Sequence, residues 1–161
     1  CEGNWSFLNE APMANIKHIF NRIQLNFHAQ VHSLDRNEFL MGLQHLAEKY
    51  EFIFQIDDVN NSIFDDSKNA MISASPLFDL SGGAGILPSS WPKPTSEYCG
   101  YAGGLSPENV AEQLETISGV VGEKQRIWID TETRVRSADD SKLDLDKVVK
   151  FLEASEPFVT K

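Results

Sequence analysis

The stretch best suited to chemistry is a pair of glycines between a short apolar run and an amphipathic segment. Gly103 and Gly104 follow the run 98–102, and Ser106 and Pro107 are typical of the N-cap and first position of a helix. A strand that turns through two glycines into a helix directs backbone N–H groups at the strand's end. This arrangement favours an anion, phosphate above all, although a glycine pair before a helix is often only a tight turn.

The elements that must position this turn alternate between strand-like and helix-like segments. Short apolar or alternating runs predict strands at 22–28, 51–57, 75–79, 98–102 and 126–131. Amphipathic spacing predicts helices at 14–21, at 35–50, from Ser106 to about 118 and from Asp144 onward, while 62–69 is either a short helix or irregular. This alternation of strands and helices is typical of a parallel sheet covered by helices. Both a doubly wound sheet and a (β/α)₈ barrel have it.

The composition restricts the classes of molecule that the chain is expected to bind. The chain has 161 residues, enough for one domain with a core, and a net charge of −10 without a basic stripe, which argues against nucleic acid. A phosphorylated small molecule stays compatible, because local N–H groups and one or two cations hold it. With no apolar run near the ~18 residues that span a bilayer, we expect no membrane partner and a cytoplasmic location. We expect no cofactor.

Two cysteines occur, Cys1 and Cys99, and they make neither a disulfide framework nor a metal-ligand set. A single bridge between them is the alternative to a reduced cytoplasmic protein, which is the plainer interpretation. The chain opens at Cys1 and not at Met, in a segment without a strand pattern. We therefore expect a piece whose true beginning lies upstream.

Three motifs together resemble the phosphoribosylanthranilate isomerase family. They are Leu77-Phe78-Asp79 with the loop 82–85 (GGAG), the nine residues 102–110 (AGGLSPENV), and Trp128-Ile129-Asp130 with a closing helix over 142–152. The strand segment 23–26 (IQLN) is also similar to that family's Val-Gln-Leu-His strand. The resemblance covers about 15–153 and is most specific at 102–110.

That resemblance implies a (β/α)₈ barrel that carries out an Amadori rearrangement of a phosphoribosylated aromatic amine in tryptophan biosynthesis. The chain would be a single domain over 1–161 that carries only the later five of eight strands, an incomplete barrel. Such a piece leaves two sheet edges unpaired, so we expect a homo-oligomer or pairing with the missing N-terminal part.

Carried over residue by residue, the resemblance assigns roles at the strand ends. Asp79 takes the position of the general acid, which protonates the furanose ring oxygen, and Asp130 that of an aspartate contacting substrate hydroxyls. The phosphate-binding and mouth-lining positions fall on glycines, namely Gly82, Gly83, Gly85, Gly103 and Gly104. Each aspartate is also commonly a structural cap, and each glycine also suits a plain turn.

The chain departs from the family pattern in its last loop. Residues 132–136 read Glu-Thr-Arg-Val-Arg where the family has Ser-Ser-Gly-Val-Glu. Arg134 either clamps a phosphate through two donors or fills the pocket, and Glu132 repels the same anion. The loop after Asp79 is also shorter than the family's, and the family's base, a cysteine at the end of its first strand, has no counterpart here.

Three interpretations follow. The first is an isomerase acting on a phosphosugar through Asp79. The second is a non-catalytic or regulatory barrel protein that binds a phosphorylated metabolite, which the altered last loop favours. The third is a different, doubly wound fold with a phosphate or nucleotide at its strand ends, which strand order distinguishes from the other two.

Overall fold

The computed structural model describes residues 10–11, 13–26, 34–57, 60–82 and 84–159. The strands are β1 (Arg22–Leu25), β2 (Glu51–Ile56), β3 (Ala74–Phe78), β4 (Tyr98–Tyr101) and β5 (Arg126–Ile129). The α-helices are α1 (Met13–Ile16), α2 (Arg36–Gln44), α3 (Asn61–Asn69), α4 (Val110–Ser118) and α5 (Leu145–Ser155). Short 3₁₀ turns lie at Lys17–Ile19, Thr133–Val135 and Glu156–Phe158.

The strands form one parallel sheet in the order β1-β2-β3-β4-β5. This order follows the chain without a reversal. A doubly wound sheet has a switch point where the strand order reverses, and ligands bind there. The fold is therefore α/β with a parallel sheet, as the spacing of the apolar runs predicts. The sequential strand order, which the spacing left open, does not fit the doubly wound alternative.

Contacts divide the chain into two compact units, 1–77 and 78–161. In the first unit β1 and β2 pair in parallel, with Arg22 opposite Glu51. Phe54 of β2 lies 6.5 Å from Phe39 of α2 and 5.7 Å from Phe64 of α3, ring centre to ring centre. Both helices thus pack on the same face of β2, and their aromatic side chains form the core of this unit.

In the second unit β4 and β5 pair in parallel, with Tyr98 opposite Arg126. Tyr101 of β4 lies on the face that α4 covers, because its ring contacts Trp91 at 5.7 Å and Trp91 Nε1 donates to Gln113 Oε1 of α4 at 3.0 Å. The buried side of α4 carries Val110, Leu114 and Ile117, as its apolar spacing predicts. On the other face the rings of Tyr98 and Trp128 contact each other in a tilted arrangement, with centres 4.7 Å apart.

The connection between β3 and β4 contains no helix or strand among its described residues. Its prolines and glycines predict this. Trp91 of this connection is buried, and its ring contacts the ring of Tyr101. A loop therefore runs directly from the end of β3 to the beginning of β4.

The second helix ends earlier than predicted, and the ambiguous segment that follows β2 is helical. Asp35 caps α2 as predicted, accepting from Glu38 N at 3.0 Å, but α2 ends at Gln44 and not near Tyr50. The chain tightens into i→i−3 turns after Leu43, and Tyr50 is buried with its hydroxyl donating to Lys17 O at 3.3 Å. The ambiguous segment 62–69 is helix α3, because Ile63, Phe64 and Ser67 make a buried face.

Candidate functional site

Asp79 follows β3 directly and is buried. Its Oδ1 accepts hydrogen bonds from Ser81 N at 3.2 Å and from Ser81 Oγ at 2.6 Å. Its carbonyl accepts from Gly82 N at 3.0 Å, which closes a tight turn. Both bonds to the side chain use oxygen lone pairs, so Ser81 fixes Asp79 as a hydrogen-bond acceptor.

The glycine turn follows β4, beside Asp79. Ala102 N donates to Phe78 O at 2.9 Å, so the residue before the turn is anchored to the end of β3. Gly103 and Gly104 have φ values of +107° and +68°, which favour glycine over any L side chain. A Cβ on Gly103 would lie 3.2 Å from Asp79 Oδ1. The carboxyl group of Asp79 therefore rests against the turn.

The loop after Asp79 packs on the same turn. A Cβ on Gly104 would lie 2.6 Å from Leu87 N and 3.0 Å from Gly85 O, and one on Gly103 would lie 3.1 Å from Ile86 O. Both glycines are thus required for close packing as well as for their φ. Three of the six atoms nearest to these Cβ positions are carbonyl or carboxylate oxygens, which disfavour a phosphate on that side of the turn.

Arg134 brings positive charge to the loop after β3. It lies in the 3₁₀ turn after β5, is exposed, and its Nη2 donates to Gly85 O at 3.2 Å. Gly82 and Gly85 have φ values of +60° and +65°, so each suits a tight turn. Gly83 lies outside the described residues.

Asp130 follows β5 and reaches the same group of elements. Its N–H donates to Tyr101 O at 3.0 Å, and the next residue, Thr131, donates through Oγ1 to Leu105 O at 2.7 Å. Burial, the charge of Glu132 and the charge of Asp79 raise the pKa of Asp130, in that order of size. Two aspartates from the ends of different strands thus interact electrostatically around the glycine turn.

The start of α4 departs from the prediction. The N-cap is Asn109 and not Ser106, and the α-helix begins at Val110. Asn109 Oδ1 accepts from Ser106 N at 2.8 Å, and its Nδ2 donates to Gly104 O at 3.0 Å. Asn109 therefore ties the helix start to the glycine turn. The feature of the sequence that predicts this arrangement is an Asn three residues after a Ser. At this spacing a side chain can bond back to the backbone N–H of the earlier residue, as in a capping box.

The structure describes some of the other candidate residues. Gln24 and Asn26 bond to each other at 2.9 Å in the first unit, and Cys1 and His28 lie outside the described residues. Cys99 is a free, buried thiol whose pKa burial raises, so it is not an activated nucleophile. The described part of the chain contains no cluster of three acidic, His or Cys side chains able to hold a metal.

No helix within the described ranges is both long and apolar enough to cross a membrane. No protein-family model matches the sequence, and comparisons with curated proteins and with solved structures find no match either. The chemistry of the group formed by Asp79, Gly103, Gly104, Asp130 and Arg134 is therefore argued from its own geometry. We call this group the strand-end site.

Proposed function

We propose that the chain is a phosphoribosylanthranilate isomerase-like barrel protein, and that its strand-end site binds a phosphorylated ribose derivative and isomerises it from aldose to ketose. The supporting observation is the convergence of Asp79 and Asp130 at the glycine turn, where the negative charge of Asp79 contributes to the raised pKa of Asp130. A pair of carboxyl groups in different environments is typical of sites that carry out acid–base catalysis.

The strand order supports the barrel part of this proposal. In a (β/α)₈ barrel the strands follow one another in sequence and the reactive side chains stand at their carboxyl ends. Asp79 and Asp130 come immediately after β3 and β5, and Gly103 comes two residues after the end of β4.

The reaction needs one proton donor and one proton acceptor. A donor protonates the furanose ring oxygen as the C1–O bond breaks, and the amine lone pair forms a C1=N bond. An acceptor then removes the C2 proton, and the resulting enolamine tautomerises to the ketose. The raised pKa of Asp130 suits the donor, and Asp79, held as an acceptor by Ser81, suits the base. This assignment moves the acid from Asp79, where the resemblance puts it, to Asp130.

We place the substrate phosphate at Arg134. The glycine turn faces Asp79 Oδ1 and the carbonyl oxygens of Gly85 and Ile86, an unfavourable surrounding for a second anion. Arg134 is exposed and already reaches this loop, and a guanidinium group binds phosphate through two parallel donors.

The test is a thermal-shift titration with a reduced, non-reactive phosphoribosyl-amine analogue, ribose 5-phosphate and inorganic phosphate. At about 100 times its Kd a ligand stabilises the folded state by about 2.7 kcal/mol, a Tm rise of roughly 5–10 °C for a chain of this size. We expect the analogue to raise the Tm of the chain more than the other two ligands do. Asp79→Asn and Arg134→Ala should each reduce this Tm rise, corresponding to an increase of at least tenfold in the Kd for the analogue.

Asp139→Asn is the matched control, because Asp139 is an exposed carboxylate bonded to Ser137 and Ser141 in its own loop. Its analogue affinity should equal that of the unmodified chain. An equal response to inorganic phosphate and to the analogue, or a shift that survives in both site variants, would contradict the proposal. Binding without isomerisation of the phosphoribosyl amine would identify a non-catalytic phosphometabolite-binding protein instead.

A further inference from the structure

The loop between β3 and β4 is anchored at two points. Near its beginning, Ser81 donates two hydrogen bonds to the carboxyl group of Asp79 and so fixes the turn after β3. Further on, Trp91 is buried, and its indole N–H donates to a side chain of α4 at 3.0 Å. We call residues 84–90, which lie between these two anchors, the flap.

The flap lies directly on the glycine turn. Backbone atoms of Gly85, Ile86 and Leu87 leave no room for a Cβ on Gly104. Among the described residues, none accepts a hydrogen bond from the N–H groups of Gly103 and Gly104, although Gly103 is buried. A buried N–H without a partner is unfavourable. The turn thus keeps two donors unused while the flap lies on it.

Few contacts hold the flap in place. Within the described part of the chain, the bond from Arg134 Nη2 to Gly85 O is the one hydrogen bond that ties the flap to another element. The side chains of Ile86 and Leu87 are 63% and 37% exposed. Segments with few buried apolar contacts and exposed hydrogen bonds open locally at low cost. Arg134 is therefore placed to decide whether the flap stays on the turn.

We propose that Arg134 latches the flap over the glycine turn, and that a phosphate group bound by Arg134 releases it. A phosphate is charged and accepts two parallel bonds from a guanidinium group, whereas Gly85 O is neutral and accepts one, so the phosphate is the stronger partner.

Release of the flap makes the site better suited to the phosphate. A phosphate on Arg134 would lie beside Gly85 O, and repulsion between their oxygen atoms disfavours the closed position of the flap. Opening removes Gly85 O and Ile86 O from the glycine turn and makes its two unused donors accessible. The closed flap is thus an autoinhibitory contact. Its release by phosphate rests on the proposed function, whereas the latch itself does not.

Limited proteolysis with elastase measures how often the flap opens. This protease cleaves after small and branched apolar residues, which Ala84 and Ile86 supply within the flap. It needs an accessible, extended segment, so a flap packed on the turn is cleaved slowly. Arg134→Ala removes the latch. Arg136→Ala is the matched control, because it removes the same charge from a side chain that bonds to Asp140 in its own loop. Mass spectrometry of the first fragments identifies the cleaved bond.

Without ligand, Arg134→Ala should raise the rate of cleavage within the flap about fivefold, which corresponds to the loss of one hydrogen bond. Arg136→Ala should leave that rate unchanged, and both variants should keep the far-UV circular dichroism spectrum of the unmodified chain. Inorganic phosphate and the phosphoribosyl-amine analogue should each raise flap cleavage in the unmodified chain, compared with sodium chloride at equal ionic strength. Neither ligand should change it in Arg134→Ala.

Equal flap cleavage in the unmodified chain and in Arg134→Ala, or an equal increase in both arginine variants, would overturn the latch. A ligand that raises the Tm but slows flap cleavage, or leaves it unchanged, would overturn the release by phosphate. If neither ligand raises the Tm, the proposed function fails and the release fails with it. The two arginine variants then still decide, without ligand, whether Arg134 holds the flap.

Discussion

Two buried aspartates end successive strands, and they have different surroundings. Asp57 follows β2 and forms a reciprocal pair with Asn60: Asp57 Oδ1 accepts from Asn60 N at 3.1 Å, and Asp57 N donates to Asn60 Oδ1 at 3.0 Å. Asn60 Nδ2 also donates to Gln55 O at 2.6 Å. These bonds tie the end of β2 to Asn60.

Asp79 follows β3 and also accepts from its own loop, through Ser81. Its carboxyl group differs in lying against Gly103, which follows another strand, and its charge acts on Asp130, which follows a third. A strand-end aspartate is therefore not a site by itself. Groups from several strands converge at the strand-end site.

The largest expected effect tests the structural role of the turn after β2. Asn60→Ala keeps the Asn60 N–H bond to Asp57 but removes the side-chain acceptor of the Asp57 N–H and the side-chain donor to Gln55 O. Because two buried polar groups lose their partners, we expect a loss of about 3–4 kcal/mol in the free energy of unfolding. Urea denaturation measures it. Asn61→Ala, at the exposed next position, should change stability by less than about 0.5 kcal/mol. A similar small loss for both variants would remove the distinction between the two aspartates.

The next effect concerns the turn on which Asp79 rests. Gly104→Ala adds a Cβ at φ +68° and 2.6 Å from Leu87 N, so both backbone strain and a clash destabilise the fold, by about 2–3 kcal/mol. Gly85→Ala has the same strain at φ +65° but no atom within 4 Å, and should lose about 1 kcal/mol. Equal losses in urea denaturation would mean that the loop does not press on Gly104.

Much of the fold was predictable because the signals are local. The five apolar runs predict the five strands, and Asp144 caps α5 as expected, accepting from the N–H groups of Asp146 and Lys147. The early end of α2 was not predictable, since its cause is distant: Tyr50 is buried beside Lys17, which precedes β1. A periodic pattern alone does not show where a tertiary contact ends a helix.

The sequence predicts which residues belong to the strand-end site better than it predicts how they interact. Position at the strand ends selects Asp79, Gly103 and Asp130 together. The packing of residues 85–87 on the turn, and the effect of Asp79 on the pKa of Asp130, join parts of the chain far apart in sequence. No local pattern encodes such contacts, so the packing of the loop on the glycine turn and the interaction of Asp79 with Asp130 needed the structure.

A smaller effect tests the loop that holds Asp79. Ser81→Ala removes the hydroxyl donor and leaves the Ser81 N–H bond in place, so we expect a loss of only about 1 kcal/mol in urea denaturation. Affinity for the phosphoribosyl analogue should fall more than stability, because Asp79 loses its fixed orientation. A loss as large as that of Asn60→Ala would make Asp79 a structural residue like Asp57.

The smallest expected effect on stability, and the most direct test of convergence, is the pKa of Asp130. Its carboxyl pKa is raised in the folded chain, so folding favours the protonated form. Stability from this group is therefore full below the unfolded pKa of about 3.9 and declines as pH rises through the folded pKa. Asp130→Asn should accordingly be slightly more stable than the unmodified chain at neutral pH, and equal to it in acid.

Removing a neighbouring negative charge should lower the pKa of Asp130 without changing Asp130 itself. Carbon-13 NMR titration of the aspartate carboxyl groups should show a lower pKa for Asp130 in Asp79→Asn and in Glu132→Gln, with Glu132 the larger of the two contributions. Asp139→Asn, in an exposed loop that does not contribute to the shift, is the control. Because Asp79 and Asp130 follow different strands, a response to Asp79→Asn requires that their strand ends converge. An Asp130 pKa that responds to Glu132 alone would leave Asp79 as a second closed turn, equivalent to that of Asp57.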